Sequence, residues 1–306
     1  MPENPGAQCS GAAPAVAAAP GLAHLQPGTV AVLTLSDPAR RNALGQAMFA
    51  ALARALADAE RLAYPHAADD PAEASRARPA PPAACTSTGP FDAPSCCRAE
   101  PMRVLLLRGA GPAFCGGFDL AACVERPALL RTFVEQLSAC VRALRAMPVP
   151  VVAEVQGAAL AGGCALLAGC DFVLVAPDAR LGYPVHRIGV SPAVTLPALM
   201  ASAGPGRARE VTMGGALVDG AEAVRMGLAT RCAASAEALP AEARVLCEAL
   251  ARKGPHALRA TKAWLNELDG TRGGARFEHA AAASAAAADG DEFATLLRAF
   301  WAARER

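Results

Sequence analysis

The chain has 306 residues, 53% of them apolar, and its 29 Lys and Arg against 28 Asp and Glu leave a formal net charge of +1. That length buries a sizeable core in one large domain with appendages, and a charge so near zero supplies no global field to gather nucleic acid or an anionic membrane. The cysteines, an odd eleven, include several in apolar surroundings (Cys140, Cys164, Cys170) and no CxxC pair, so they read as packed, reduced thiols and no metal is expected.

Residues 1–27 are rich in Ala, Pro and Gly, with no Lys or Arg before Arg40. A secretory leader or transit peptide would need such charge, so the stretch reads as a disordered tail and the cytoplasm is the expected location. Thr29–Leu35 is an apolar, β-branched run closed by Ser36-Asp37-Pro38, a strand and a turn. Asn42–Ala63 carries Leu44, Met48, Leu52, Leu56 and Leu62 at helical spacing. Over 64–101 the pattern dissolves into Pro, Ala, Ser and scattered charge with no face to bury, and this stretch is expected to be a disordered insertion.

Arg103–Arg108 resumes as a strand of the kind buried on both faces. The spacing of Phe133, Leu137, Val141 and Leu144 predicts a helix over Leu129–Met147, stopped by Pro148 and followed by a strand over Val149–Val155. Ala165–Ala168 begins another helix and Phe172–Ala176 another strand. Strands alternating with helices predict an α/β domain with a mostly parallel sheet over 28–230, and 231–306 reads as a helical region. The apolar stretches Val149–Val155 and Ala158–Ala168 are too short and Gly-rich to span a bilayer, so no membrane partner is expected.

Two Gly-rich turns concentrate the chemistry: Gly109-Ala110-Gly111-Pro112-Ala113-Phe114-Cys115-Gly116-Gly117-Phe118-Asp119, and Gly157-Ala158-Ala159-Leu160-Ala161-Gly162-Gly163-Cys164. Each is expected to follow a strand and open a helix, where free backbone N–H groups accept an anion or a polarised oxygen.

These turns, with Arg41-Asn42-Ala43-Leu44, Leu107-Arg108-Gly109, Pro148–Gly163, Cys170-Asp171, Arg180-Leu181-Gly182-Tyr183-Pro184, the stretch from Ala208-Arg209-Glu210 to Gly227-Leu228, and Thr261-Lys262, resemble the crotonase, or enoyl-CoA hydratase/isomerase, superfamily. The resemblance covers 28–63 and 102–306. It implies a spiral core of ββα turns, a C-terminal helical region that builds a homotrimer or a dimer of trimers, and an acyl-CoA substrate that brings CoA with it, with no separate cofactor. It further implies a thioester oxygen held by the backbone N–H groups of Phe118 and Gly162, with substrate contacts at Cys115, Gly116 and Gly163. An aimed donor of this kind is worth about 3 kcal/mol in the transition state of an enolate-forming reaction.

The sequence departs from the hydratase pattern at two points. The Glu that follows the Gly-Gly-Cys step in hydratases is Ala165 here, and the Glu after the later Pro is Val185. Neither side chain exchanges a proton, so ordinary hydratase activity is not expected. Three side chains are candidates to replace them: His186, by its imidazole; Tyr183, which shares a face with Val185 if the segment is extended; and Asp119, whose ordinary role is to cap the helix beginning at Leu120. Glu125 reads as solvated, Cys115 and Cys164 as packing, Asp171 as structural, and Arg187 as a surface group able to receive a carboxylate. Two alternatives stand beside the enolate-stabilising enzyme. One is a decarboxylase resembling methylmalonyl-CoA decarboxylase, whose loop also reads Pro-Val; the other is an inactive acyl-CoA-binding subunit.

Overall fold

The computed structural model describes residues 21–63 and 101–304. Its main sheet has six strands in the order β1 (Ala23–Gln26), β2 (Val30–Leu35), β3 (Val104–Gly109), β4 (Val151–Val155), β6 (Phe172–Val175), β8 (Arg231–Cys232). All neighbours pair in parallel except β1, which runs antiparallel to β2. Strands β5 (Ala158–Leu160) and β7 (Arg180–Gly182) form a separate parallel pair. Every residue of β4 is buried, and β3 is buried except at Arg108, as a parallel sheet covered on both faces requires.

Helix α1 (Gln46–Ala63) lies against β1, β2 and α3 (Leu129–Ala146), while α7 (Leu239–Ala251) packs across β2, β3, β4 and β6. Pairing in register sets Thr34, Arg108 and Glu154 in one row across three strands, and Arg108 Nε donates to Thr34 Oγ1 at 3.3 Å. Short helices α2 (Leu120–Glu125), α4 (Gly162–Ala168) and α6 (Gly220–Arg225) and the kinked α5 (Leu196–Gly214) link the strands. Three helices finish the chain: α8 (Pro255–Leu268), α9 (Ala275–Ala288) and α10 (Asp291–Arg304).

Buried side chains tie this helical region to the core, among them Asn266 on α8, whose Nδ2 donates to Arg145 O at 2.9 Å. Lys262 Nζ on α8 donates to Asp171 Oδ2 at 2.6 Å, Val149 O at 3.1 Å and Leu144 O at 3.4 Å, while Asp171 Oδ2 also accepts the Val151 N–H at 2.8 Å. Ser284 Oγ on α9 accepts the Val194 N–H at 2.9 Å and donates to Ser191 O at 3.0 Å. Asp171 thus has the structural role read from the sequence.

The structure differs from the sequence reading in several places. Strand β1 falls inside the stretch read as a tail, and as a four-residue edge strand it is too short for alternation to reveal. Helix α1 starts at Gln46, not Asn42, because Arg41 and Asn42 take left-handed φ values of 52° and 54° and the Asn42 amide is spent elsewhere. Its Nδ2 donates to Ala110 O, Ala113 O and Phe114 O at 3.0, 2.9 and 3.0 Å. The insertion expected over 64–101 falls, but for Pro101, outside the described residues. Its flanks meet, since the Met102 N–H donates to Leu62 O at 3.0 Å. Among the described residues no helix is long and apolar enough to cross a membrane.

Candidate active site

In the first Gly-rich turn the Leu44 N–H donates to Gly117 O at 2.8 Å and the Asp119 N–H donates to Leu44 O at 3.2 Å, a one-residue parallel bridge. The residue between the bridged groups, Phe118, has its own N–H on the opposite side, and that N–H donates to no acceptor among the described residues. The Phe118 ring is fixed by Phe49 and Phe133, with ring centroids 6.2 and 5.7 Å away, inside the range of favourable aromatic contact.

The second turn does not run straight into a helix, as the sequence suggested; β5 intervenes. The Ala161 N–H then donates to Gly182 O at 2.8 Å, and Ala161 takes φ 51° and ψ −109°. Such a backbone is strained by about 1–3 kcal/mol for a residue with a Cβ, and strain of this kind collects at functional sites. Its effect is to start α4 abruptly at Gly162, whose N–H is one of the unpaired donors of the first helical turn.

The two turns touch. Gly117, at φ 93°, leaves room that a Cβ would lose, since that atom would lie 2.9 Å from Leu160 O. A Cβ on Gly163 would stand 2.4 Å from Cys115 O, so this glycine is a packing requirement between the turns.

Phe118 and Gly162 both line a cavity of about 390 Å³. Most of its wall is apolar: Leu120, Val134 and Leu137 on one side, Ala165, Val185, Ile188 and Val190 on another, Leu217 from the loop after α5, and Phe300 from α10. Among the described residues, the side chains with polar groups are Tyr183, Arg187, Ser191 and Thr195, and no carboxylate and no imidazole lines it. Tyr183 and Thr195 are buried, and their hydroxyl oxygens lie 3.1 Å apart. Burial holds the Tyr183 phenol well above its usual 10, reinforced by Cys164 and opposed by the bond to Thr195.

The other candidates from the sequence fall as follows. His186 is exposed and lies outside the cavity wall; the segment is not extended, since Val185 is helical and His186–Ile188 forms a 3₁₀ turn. Arg187, not His186, lines the cavity. Asp119 sits at the start of α2 but makes no capping bond, and its Oδ2 faces Arg40 Nη1 at 3.4 Å. Glu125 is exposed and off the cavity. Of the three residues expected to contact substrate, only Gly116 lines the cavity; Cys115 and Gly163 are buried behind it, and the Cys115 N–H already donates to Ala158 O at 2.9 Å. Burial pushes the Cys115 and Cys164 thiols up to about 12, as packing residues.

Thr195, Ser191, Leu217 and Phe300 escaped the sequence reading. They come from segments far from either turn, and no local spacing ties them to the site.

The profile of the enoyl-CoA hydratase/isomerase family matches residues 91–289. The chain belongs to this family. A Thermus thermophilus protein provisionally named an enoyl-CoA hydratase is 32% identical over 288 residues, covering 92% of this chain and 98% of its own. A crotonyl-CoA hydratase of Syntrophomonas wolfei is 33% identical over 172 residues, 54% of this chain and 65% of that one. Among solved structures, an enoyl-CoA hydratase/isomerase from Xanthobacter autotrophicus Py2 superposes with a TM-score of 0.71 at 26% identity, covering 90% of this chain and 91% of that one. The α/β crotonase fold with C-terminal helices is therefore that of the family, and so is its substrate class, acyl-CoA thioesters.

Proposed function

We propose that this enoyl-CoA hydratase/isomerase family protein holds the thioester oxygen of an acyl-CoA between the backbone N–H groups of Phe118 and Gly162, stabilises the thioester enolate there, and hydrates enoyl-CoA only weakly. The observation that carries the reading is two unspent amides on the wall of a cavity to which the described residues bring no carboxylate or imidazole. A forming enolate places negative charge on that oxygen, and two preorganised donors in a dry site stabilise it without reorganisation. Hydration asks for more, a group to activate water and another to protonate the α-carbon, each contributing about 10²–10⁴-fold. Ala165 and Val185 line the cavity where the resemblance puts those groups.

The relatives carry hydratase names, so the test is direct. Crotonyl-CoA hydration, followed by loss of the enoyl absorbance, should run at least about a thousandfold below an ordinary hydratase. It should rise in Ala165→Glu/Val185→Glu if that variant folds with two buried carboxylates. An ordinary rate in the wild type would overturn the reading, as would a thioester complex with its oxygen away from both amides.

The missing base favours one second reading, decarboxylation of a carboxyacyl-CoA, because loss of CO₂ yields the enolate with no proton removed. Release of CO₂ from such thioesters tests it, and any turnover excludes an idle acyl-CoA-binding subunit. We further propose a cytoplasmic homotrimer or dimer of trimers. Supporting the assembly, α8 carries Trp264, Leu265 and Leu268 at 65%, 57% and 78% exposure, an apolar surface of the kind that subunit contacts cover. Light scattering that returned a mass near the 31.0 kDa of one chain would overturn this.

A further inference from the structure

We infer that Tyr183 is the proton donor to the α-carbon of the enolate, positioned by Thr195. The inference rests on the enolate reading above.

Placement is the first argument. Strand pairing sets Leu160 opposite Gly182, and the Ala161 N–H is bonded to Gly182 O. Tyr183 is therefore the neighbour, across one strand spacing, of the Ala161-Gly162 step that carries an oxyanion donor, and it lines the same cavity.

Elimination is the second. Of the polar side chains on the wall, Arg187 offers a guanidinium, a group suited to holding charge and not to exchanging protons, and the Ser191 and Thr195 hydroxyls are far weaker acids than a phenol. Tyr183 is the wall residue able to hand over a proton and take it back. Its burial keeps it protonated at neutral pH, the state a donor needs.

The third argument is the way back for the proton. Tyr183 also lines a second cavity of about 120 Å³, whose wall mixes apolar residues such as Leu167 and Leu199 with the polar Arg145, Asp171, Ser202 and Thr230. A recess of that size accommodates a few waters at about 30 Å³ each. In the step itself the Tyr183 O–H bond breaks and its proton goes to the α-carbon. The enolate C=C electron pair forms the new C–H bond, and the thioester C=O is restored. The phenolate left behind takes a proton from water.

The reverse step makes the idea measurable without knowing the natural acyl group, because a transient Tyr183 phenolate removes an α-proton. Butyryl-CoA in D₂O should acquire α-deuterium on the wild-type protein, read by mass spectrometry with thioester binding measured for every variant so that all are compared at saturation. Tyr183→Phe should slow exchange at least about 100-fold. Thr195→Val should slow it about tenfold, and Thr195→Ser, which restores the hydroxyl, should recover it; a structural role for Thr195 would not respond to the hydroxyl alone. The chain has two tyrosines, so replacing both with difluorotyrosine keeps the fold while lowering the phenol pKa, and should move the exchange profile to lower pH.

Exchange at the wild-type rate in Tyr183→Phe overturns the inference, as does a pH profile that difluorotyrosine leaves in place. A wild type that binds butyryl-CoA with a polarised thioester carbonyl and does not exchange overturns the Tyr183 assignment alone. A wild type that does not bind the thioester overturns the reading beneath it as well.

Discussion

A single missing Cβ holds the two turns together. Alanine at Gly163 would set its methyl 2.4 Å from Cys115 O, and a backbone oxygen cannot swing away as a side chain could. Gly163→Ala should therefore destabilise the protein by about 1–3 kcal/mol and weaken acyl-CoA binding, because the turns must part to admit the methyl. Thermal melts and thioester titration read both effects. Glu154 gives a second expectation. Burial raises its carboxyl above the ordinary value of 4.5, with Arg108 and Arg244 pulling it back. A carboxyl raised in the folded state contributes stability that is present below the unfolded pKa and lost as pH rises through the folded one, so ionised Glu154 is a burden at neutral pH. Glu154→Gln should gain thermal midpoint over the wild type between about pH 4 and pH 8, and a difference flat across that window would contradict the assignment. At this scale the sequence was legible where backbone chemistry leaves a mark. Gly117 and Gly162 announce turns with outward amides, and Ala165 and Val185 announce the absence of acids. His186 was misplaced because its position hangs on one helical residue, Val185, and nothing in Pro184-Val185-His186 separates a 3₁₀ turn from an extended run.

The spacing of Phe133, Leu137, Val141 and Leu144 located α3 to within a residue of its observed end, because an amphipathic helix on a sheet has to repeat its buried face. The start of α1 was missed for the opposite reason. Asn42 opens the stretch read as helical, yet its amide closes the 110–114 turn, a long-range contact no local pattern records. Thr195 and Phe300 reach the cavity through the packing of α9 and α10, equally invisible to a local reading. Helix α8 is held from beneath by one ammonium, since Lys262 satisfies Asp171 and the carbonyls of Leu144 and Val149 together. Lys262→Met removes the ammonium from all three and should lower stability by about 3 kcal/mol, the low end for a broken buried pair because Asp171 keeps the Val151 N–H and Leu144 O the Met147 N–H. Denaturant unfolding measures the loss. Lys262→Met/Asp171→Asn should recover part of it, and no recovery would mean that the carbonyls, not the carboxylate, dominate.

Across the whole molecule, the order of the central strands and helices followed from alternation of elements, and the mixed sheet differed at its two edges, antiparallel β1 in the stretch read as a tail and β8 at the start of the region read as helical. The bond from Met102 N–H to Leu62 O means that the end of α1 and the chain entering β3 meet where residues 64–100 depart and return. Replacing 64–100 by a short Gly-Ser bridge should leave the thermal midpoint within a few degrees and acyl-CoA binding intact, checked by melting and titration. A protein that no longer folds would show that the segment contributes to the core. Loop-closure entropy grows slowly, by about 0.6 kcal/mol for each doubling of length. The rim beside Leu62 and Met102 is thus a splice port in the scaffold. Any guest domain whose own two ends lie close together can be seated there with the host's sheet still zipped, so a fluorescent reporter or an affinity handle can be carried in the middle of the chain, leaving both termini and the C-terminal helices untouched.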